Sequence, residues 1–493
     1  MSEKTNKNVL IVVMDTVRKD ALSVYNANCS TSPNLEQFAS NAVVFDQAVS
    51  PAPWTLPVHA SLFTGKYPSQ HGASQETPYL TDSITLAETL SNEGYSTACF
   101  TSNAWITPYT GLTSGFDVQD NFFEVLPGNL MSGPLAKCWK VFNDNSTLRS
   151  VTNRLVELGN DVHEYLAEGE GADSKTPAVI DQAIEFIERT DDPSFTFVNL
   201  MDAHLPYYPP EKYRKQYAPD VDPTEVCQNS KEYNSGARDI DDEEWEAIRS
   251  LYAAEIRHLD AELGRLLDWL QENDEDDTLV AICADHGELH GEHGLYGHEF
   301  GIYDPLVNVP LMISHPDLDP GTYDEQVELL DLYHTVLDHA GISPREPAIP
   351  LDHTRSLLST DYRTFSQSEY AFIEYDQPVI ELSQLETKAA NAGVELDENS
   401  RFYSRMRGVR RADVKLVQNE GLPDELYNLA EDPDELRDRA GRDVELEDEL
   451  VKALEEFEAT TGSNWTDSTA SDGSLDEMST EAKSRLRELG YLE

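Results

Sequence analysis

The sequence predicts a doubly wound α/β fold, a mixed sheet with helices on both faces, and two observations carry that prediction. The runs Asn8 to Asp15 and Asp277 to Glu288 each hold an unbroken apolar stretch that ends in an acid, the pattern of a strand buried on both faces. Helical patterns also alternate with apolar strands along the chain, which builds a sheet with helices packed over it. At 493 residues and 39% hydrophobic content there is material for one large core and a smaller one.

The elements follow in order. Leu86 to Glu93 has a helical pattern before a strand at Tyr95 to Phe100. Ala178 to Arg189 precedes a strand at Phe195 to Leu200, and Glu243 to Gln271 precedes the strand beginning at Leu279. In that last helix Leu251, Ala254, Ile256, Leu259, Leu263, Leu266 and Leu267 make one apolar face. Between about Gly115 and Lys175 no strand pattern is visible, so the region near 115–190 reads as a mostly helical insertion into a catalytic domain spanning 1–355. From 356 to 458 the texture changes to short strands at Glu369 to Ile373, Phe402 to Val409 and Val414 to Val417, with helix from Leu436 onward. Residues 459–493 read as a polar acidic linker, Thr460 to Ser474, and a short terminal helix, Ala482 to Tyr491.

Thr55 is the residue with most chemistry in its surroundings. Pro51 and Pro53 interrupt regular structure before it and Ala60 to Phe63 suit a short helix after it, so its hydroxyl lies at a loop-to-helix entrance. A threonine there is ordinarily a helix cap. Asp15 and the pair Asp285-His286 lie at the carboxyl ends of their strands, where ligands collect in open α/β sheets. If those strands are neighbours, two carboxylates and an imidazole converge into a metal site; taken singly, each reads as a cap or a turn.

Several blocks together resemble the sulfatase-like branch of the alkaline phosphatase superfamily, in an acidic, haloarchaeal-type form. They are Asp15-Thr16-Val17-Arg18-Lys19-Asp20-Ala21-Leu22, the run Thr55 to Gly65 followed by Tyr67-Pro68 and His71-Gly72, and Asp202-Ala203-His204-Leu205-Pro206-Tyr207. Ala284-Asp285-His286-Gly287-Glu288, Gly291-Glu292-His293-Gly294 and Glu425-Leu426-Tyr427-Asn428-Leu429 complete the set. The resemblance implies an alkaline phosphatase-like sheet with a small C-terminal α+β subdomain. It also implies that Asp15, Asp285 and His286 bind a divalent metal with the Thr55 oxygen on the same ion. Attack by Thr55 then gives a covalent phospho- or sulfo-enzyme.

Departures from the family pattern redirect the chemistry. Sulfatases carry Cys or Ser at the nucleophile, oxidised to formylglycine and followed by x-Pro-x-Arg. Thr55 has a β-methyl and cannot yield that aldehyde, and His59 replaces the arginine as a substrate-binding group. Thr16 stands where a second Asp is usual and His286 where many members have Asn. Losing a carboxylate and gaining an imidazole favours zinc or manganese over calcium or magnesium. The set Asp15, Thr55, Asp285 and His286 thus resembles phosphoester-handling relatives, including phosphodiesterases and phosphoglycerol or phosphoethanolamine transferases.

By the same resemblance His204 touches the ester oxygens. His298 replaces a lysine near the leaving group and serves as general acid. Asn103 replaces another lysine and donates to a non-bridging oxygen. Asp202 and His204 are too closely spaced for the second-metal motif of two-metal relatives, and His290 and His293 read as loop structure.

Lys and Arg total 36 against 92 Asp and Glu, a formal net charge of −56 dispersed along the chain. Such a surface suits concentrated salt, where the Debye length shrinks to about 3 Å at 1 M, and it disfavours nucleic acid and anionic membranes as partners. Five cysteines without metal spacing (Cys29, Cys99, Cys138, Cys227, Cys283) read as reduced, packed thiols. The early first strand and the absence of a membrane-length apolar run predict a soluble, cytoplasmic protein. The functional expectation is a metal-dependent hydrolase or transferase of a small-molecule, glycan or lipid phosphate ester. A sulfuric ester hydrolase without formylglycine, and a catalytically silent binder of anionic glycans or lipids, are the alternatives. The oligomeric state is unknown at this level.

Overall fold

The structure is a computed structural model that describes residues 7–80, 83–121, 174–273, 275, 277–344, 347–358 and 369–462. Cys138, most of the expected helical insertion, and the linker and terminal helix expected beyond 462 lie outside the described residues. In chain order the strands are β1 (Val9–Met14), β2 (Val43–Val49), β3 (Ser96–Thr101), β4 (Val118–Asn121), β5 (Ser194–Leu200), β6 (Leu279–Cys283) and β7 (Leu289–His290). They continue with β8 (Tyr296–Gly297), β9 (Asn308–Ser314), β10 (Gly321–Glu328), β11 (Ala371–Tyr375), β12 (Met406–Arg411), β13 (Val414–Asn419) and β14 (Glu425–Asn428).

Eight of these form one sheet in the order β10-β2-β9-β6-β1-β5-β3-β4. Every pairing in it is parallel except those of β9, which runs against both β6 and β2. All six residues of β1 are buried, as befits a strand between two parallel neighbours with helices over both faces. Its neighbours are β5, with Val9 opposite Phe195, and β6, with Val9 opposite Leu279. The two acid-terminated strands are therefore adjacent, and Asp15 and Asp285 emerge at the same edge.

The helices follow the predicted periodicity. Asp242–Glu272 starts where the Asp241 carboxylate accepts the Glu244 N–H at 2.9 Å, with three acids in the first turn facing the helix dipole. Its buried stripe, including Leu251, Ile256, Leu259, Leu263 and Leu266, packs into the main core. The helix Thr55–Thr64 is buried along its whole length and ends on Gly65, whose φ of 67° closes it in the left-handed region.

Three expectations change. β4 lies inside the stretch read as strandless; its Val-Gln-Asp-Asn sequence is exposed at the sheet edge and carries no apolar signal. The last described helix starts at Val444, capped by Asp443, and not at Leu436. Positive φ angles at Glu435 and Gly441 hold the preceding segment irregular, and Leu436 is 70% exposed. A helix, Val379–Ala392, also falls between the first two strands of the small antiparallel sheet β11-β12-β13-β14, where none was expected.

That small sheet is bound to the main domain by apolar packing and by charge. Ile302, Tyr303 and Leu306 share a core with Ala371, Ile373 and Met406. The Asp304 carboxylate accepts hydrogen bonds from Arg410 of β12 at 2.8 and 3.1 Å and from Lys415 of β13 at 3.0 Å. Both cations are almost completely buried.

Candidate active site

The carboxyl edge of the sheet gathers the functional side chains. β1 leads into Asp15, β2 into the turn before Thr55, β3 into Asn103, β5 into His204 and β6 into Asp285-His286. These strands point the same way, so their following loops meet above one edge.

Asp15 is buried, and its Oδ2 accepts from Asn103 Nδ2 at 2.8 Å and from Asn199 Nδ2 at 3.2 Å. Its Oδ1 has no hydrogen-bond partner. Asp285 repeats the arrangement: Oδ1 accepts the N–H groups of His286 at 2.9 Å and Thr16 at 3.3 Å, while Oδ2 is buried and bare. The ligand atoms of Asp15, Asp285 and His286 lie within 4.8 Å of one another, the one such cluster among the described residues. Burial, and next the Asp15 carboxylate, push the Asp285 carboxyl well above its ordinary range. Two bare carboxylate oxygens in one buried pocket fit a cation, because leaving buried charge uncompensated is costly.

His286 completes the set. Its Nδ1–H donates to the Gly287 carbonyl at 3.0 Å, which leaves Nε2 with its lone pair, 3.4 Å from Thr55 Oγ1. Gly287 is required by space, since a Cβ there would lie 2.0 Å from the Pro305 carbonyl oxygen. The Asp285-His286-Gly287 turn thus rests on the segment that Arg410 and Lys415 pin through Asp304.

Thr55 is not a cap. The cap position is Trp54, in extended conformation, and Thr55 is the first helical residue with its hydroxyl turned to His286 and Asn103. Trp54 packs edge-on against Trp105 with ring centroids 5.6 Å apart.

His59, expected to bind substrate, lies in the same helix as Thr55. It is fully buried, and its Nδ1–H donates to the Thr55 carbonyl at 2.9 Å. Its ring lies edge-on to Phe197 and Phe63, 3.7 Å from Asp285 at the nearest nitrogen. Its hydrogen bond is to the backbone of Thr55. Asn103 bonds Asp15 and lies 3.5 Å from Thr55 Oγ1.

His298 and His204 stand beside the cluster, with centroid distances of 4.5 Å from His286 to His298 and 5.4 Å from His298 to His204. His298 Nδ1 is 3.0 Å from Glu288 Oε1. Burial lowers the His298 pKa, but Glu288 and then Glu299 more than reverse this and raise it to about 9. His204 is half-buried and hydrogen-bonded to the Leu205 carbonyl at 2.6 Å. Asp202 lies elsewhere, holding the Ser174 hydroxyl at 2.5 Å and the Thr176 hydroxyl. His290 and His293 lie in or beside the β7–β8 hairpin, against Tyr207 and Tyr303.

Sequence reasoning missed two supports. Asn199, a polar residue inside the apolar run of β5, was a readable signal because it falls one position from the strand end beside β1. Tyr252 was hidden on the apolar helix face; its hydroxyl donates to the Thr16 carbonyl at 2.8 Å and accepts the Arg18 N–H at 2.8 Å. It clasps a turn in which Thr16 adopts a φ of 56°.

A mixed α/β sheet with Thr55 opening a buried helix and an acid–histidine cluster at its carboxyl edge defines an ester hydrolase of the alkaline phosphatase type. The Sulfatase family profile matches residues 7–342, and the chain belongs to that family. The chain is 26% identical over 462 residues to the choline-sulfatase of Rhizobium meliloti, covering 88% of this chain and 82% of that protein. It is 27% identical over 500 residues to a multifunctional alkaline phosphatase superfamily protein of Trinickia caryophylli, covering 89% and 92%. The crystal structure of the phosphonate monoester hydrolase of Agrobacterium radiobacter shares the fold, with a TM-score of 0.68 at 22% identity over 92% of this chain and 96% of that one. Among the described residues no helix is long and apolar enough to cross a membrane.

Proposed function

We propose that this chain cleaves a phosphate ester as a metal-dependent hydrolase or transferase, with Thr55 as nucleophile. The observation that carries the reading is the pair of bare, buried oxygens, Asp15 Oδ1 and Asp285 Oδ2, beside an imidazole nitrogen 3.4 Å from the Thr55 hydroxyl. Asp15, Asp285, His286 and Thr55 would hold the cation, and its imidazole-containing donor set favours zinc or manganese. When bound, such an ion lowers the pKa of an alcohol and offsets charge on the ester.

The chain's own residues supply the rest. Asn103 and Asn199 fix Asp15, the Thr16 and His286 N–H groups fix Asp285, and the His59 hydrogen bond fixes the backbone of Thr55. Attack by the Thr55 oxygen forms a covalent ester and releases an alcohol, which takes a proton from His298. Water or an acceptor alcohol then resolves the intermediate. Threonine supports this route and excludes formylglycine, which places phosphate esters ahead of sulfate esters. Sulfate ester hydrolysis is the second reading, favoured by the names of relatives such as choline-sulfatase.

The test is purification in high salt, metal analysis by mass spectrometry, and assay of phosphate diesters, monoesters, phosphonates and sulfate esters with wild type and Thr55→Ala. Near-stoichiometric metal and phosphoester turnover abolished in Thr55→Ala are expected. Full activity in Thr55→Ala, or metal retained after loss of both Asp15 and Asp285, would overturn the mechanism. Turnover of sulfate esters alone would establish the second reading, and no turnover by the metal-loaded protein would indicate a silent binder.

A further inference from the structure

One buried carboxylate beside the site has no part in holding the cation or the nucleophile. Glu288 is completely buried, follows His286 by two residues, and places Oε1 3.0 Å from Nδ1 of His298. Its backbone is fixed from two sides. Arg18 Nη1 donates to the Glu288 carbonyl at 3.0 Å, and the preceding Gly287 N–H donates to the Leu306 carbonyl at 2.8 Å. We propose that Glu288 is the positioning residue of the leaving-group acid, its hydrogen bond to Nδ1 of His298 holding that ring with Nε2 toward the departing ester oxygen.

The inference rests on the reading that Thr55 displaces an alcohol. As the Thr55 oxygen, its proton already given up to solvent, forms its bond to the central atom, the bond to the alcohol oxygen breaks. That oxygen takes the Nε2 proton of His298, while the Nδ1 proton stays in the hydrogen bond to Glu288. In the second step water bonds to the central atom, one of its protons goes to Nε2, and the Thr55 oxygen departs as the alkoxide that began the first step. His286 and Glu288 face different partners from one short turn, the first toward the nucleophile and the second toward the acid. Such an oriented acid matters for alcohols that leave poorly and little for an acidic phenol, so the arrangement selects esters of unactivated, alkyl-type alcohols.

The test compares the ethyl and 4-nitrophenyl esters of one phosphoryl group, at a single pH, in metal-loaded wild type, His298→Ala, Glu288→Leu and Glu288→Gln. His298→Ala and Glu288→Leu are each expected to lose about 100-fold in kcat/KM on the ethyl ester, at least ten times the loss on the nitrophenyl ester. Glu288→Gln, whose amide oxygen still accepts from Nδ1, is expected to recover much of the ethyl-ester rate. The His298→Ala, Glu288→Leu double variant should be no worse than either single variant, because the two act as a unit. Equal losses on both esters in Glu288→Leu, or additive losses in the double variant, would overturn the positioning role. Should Glu288→Leu fail to fold, Glu288→Asp, which withdraws the carboxylate from the ring, must show the same selective loss on the ethyl ester. Failure of the underlying reading is separate and visible, since wild type would then turn over neither ester or Thr55→Ala would turn over both.

Discussion

Asn103 and Asp15 are joined by a hydrogen bond of 2.8 Å from Nδ2 to Oδ2, and the same nitrogen lies 3.5 Å from the Thr55 hydroxyl. The amide cannot flip, because its oxygen accepts the Trp105 N–H at 2.8 Å. Asn103 therefore ties the Asp15 carboxylate to the Thr55 hydroxyl, and it leaves the other oxygen of Asp15 bare.

Replacing Asn103 with Ala removes the closer of the two side-chain donors on Asp15 Oδ2 and leaves Asn199 at 3.2 Å. Loss of an outer partner of this kind costs about 10- to 100-fold in metal affinity or activity. Titration of the apo protein with zinc or manganese, followed by assay at saturating metal, separates the two effects. Unchanged metal affinity and unchanged turnover in Asn103→Ala would show that the amide is incidental.

Tyr252→Phe tests the turn that follows Asp15. The hydroxyl bonds both the Thr16 carbonyl and the Arg18 N–H, and it holds a β-branched residue at a φ of 56°, a conformation costing about 1–3 kcal/mol. Without it two buried backbone groups lose their partner, a destabilisation of about 1–3 kcal/mol. The Thr16 N–H on Asp285 Oδ1 should drift at the same time, so metal affinity is expected to fall as well. Denaturant unfolding and metal titration of Tyr252→Phe check both. A purely stabilising role would lower the unfolding midpoint and leave metal affinity alone.

Much of this site was legible in the sequence, for physical reasons that also mark where legibility stops. Asp15 and Asp285 each terminate a continuous apolar run, which makes a strand end visible without any knowledge of neighbours. Their convergence depends on β1 and β6 being adjacent, a matter of sheet order that no local pattern encodes. Asn103 was visible as a site residue, but its partner was not, because β3 reaches Asp15 across β5. His59 lies one helical turn after Thr55, so its ring bonds its own helix, a contact that no spacing in the sequence announces. β10 was missed since Gly-Thr-Tyr-Asp-Glu-Gln-Val-Glu has an exposed edge and little apolar character.

The small sheet buttresses the site through charge, and Lys415→Met tests how strongly. Lys415 is fully buried and donates to Asp304 at 3.0 Å and to the Ile302 carbonyl at 2.9 Å, with Glu435 2.5 Å away. Removing the cation leaves the buried Glu435 without it, while Asp304 keeps Arg410, and breaking a buried pair costs about 3–5 kcal/mol. Because Asp304 and Pro305 carry the turn at Gly287, residual folded protein should also lose activity. A Lys415→Met protein as stable as wild type in denaturant would remove the buttress from this picture.

Stability should fall on mild acidification through His71. Its Nδ1 accepts the Ala73 N–H at 3.1 Å, while Nε2–H faces the Pro57 carbonyl and the Ser61 hydroxyl, each at 3.2 Å, so the neutral ring is the one that fits. Burial lowers its pKa, the Pro57 carbonyl opposes this and Lys66 adds to the lowering, leaving the ring at about 3. The unfolded chain binds a proton near 6.5 and the folded chain does not until about 3. The contribution is therefore full above the unfolded pKa and declines as pH falls, by up to about 1.4 kcal/mol per pH unit in between. His290, also held at about 3, adds to the same slope. Urea unfolding of wild type and His71→Gln at pH 6 and pH 5, in high salt, isolates the His71 share as the difference between their slopes. The variant is expected to lose less stability over that unit by about 1 kcal/mol. Equal slopes would mean that the ring is already protonated in the folded protein at these pH values.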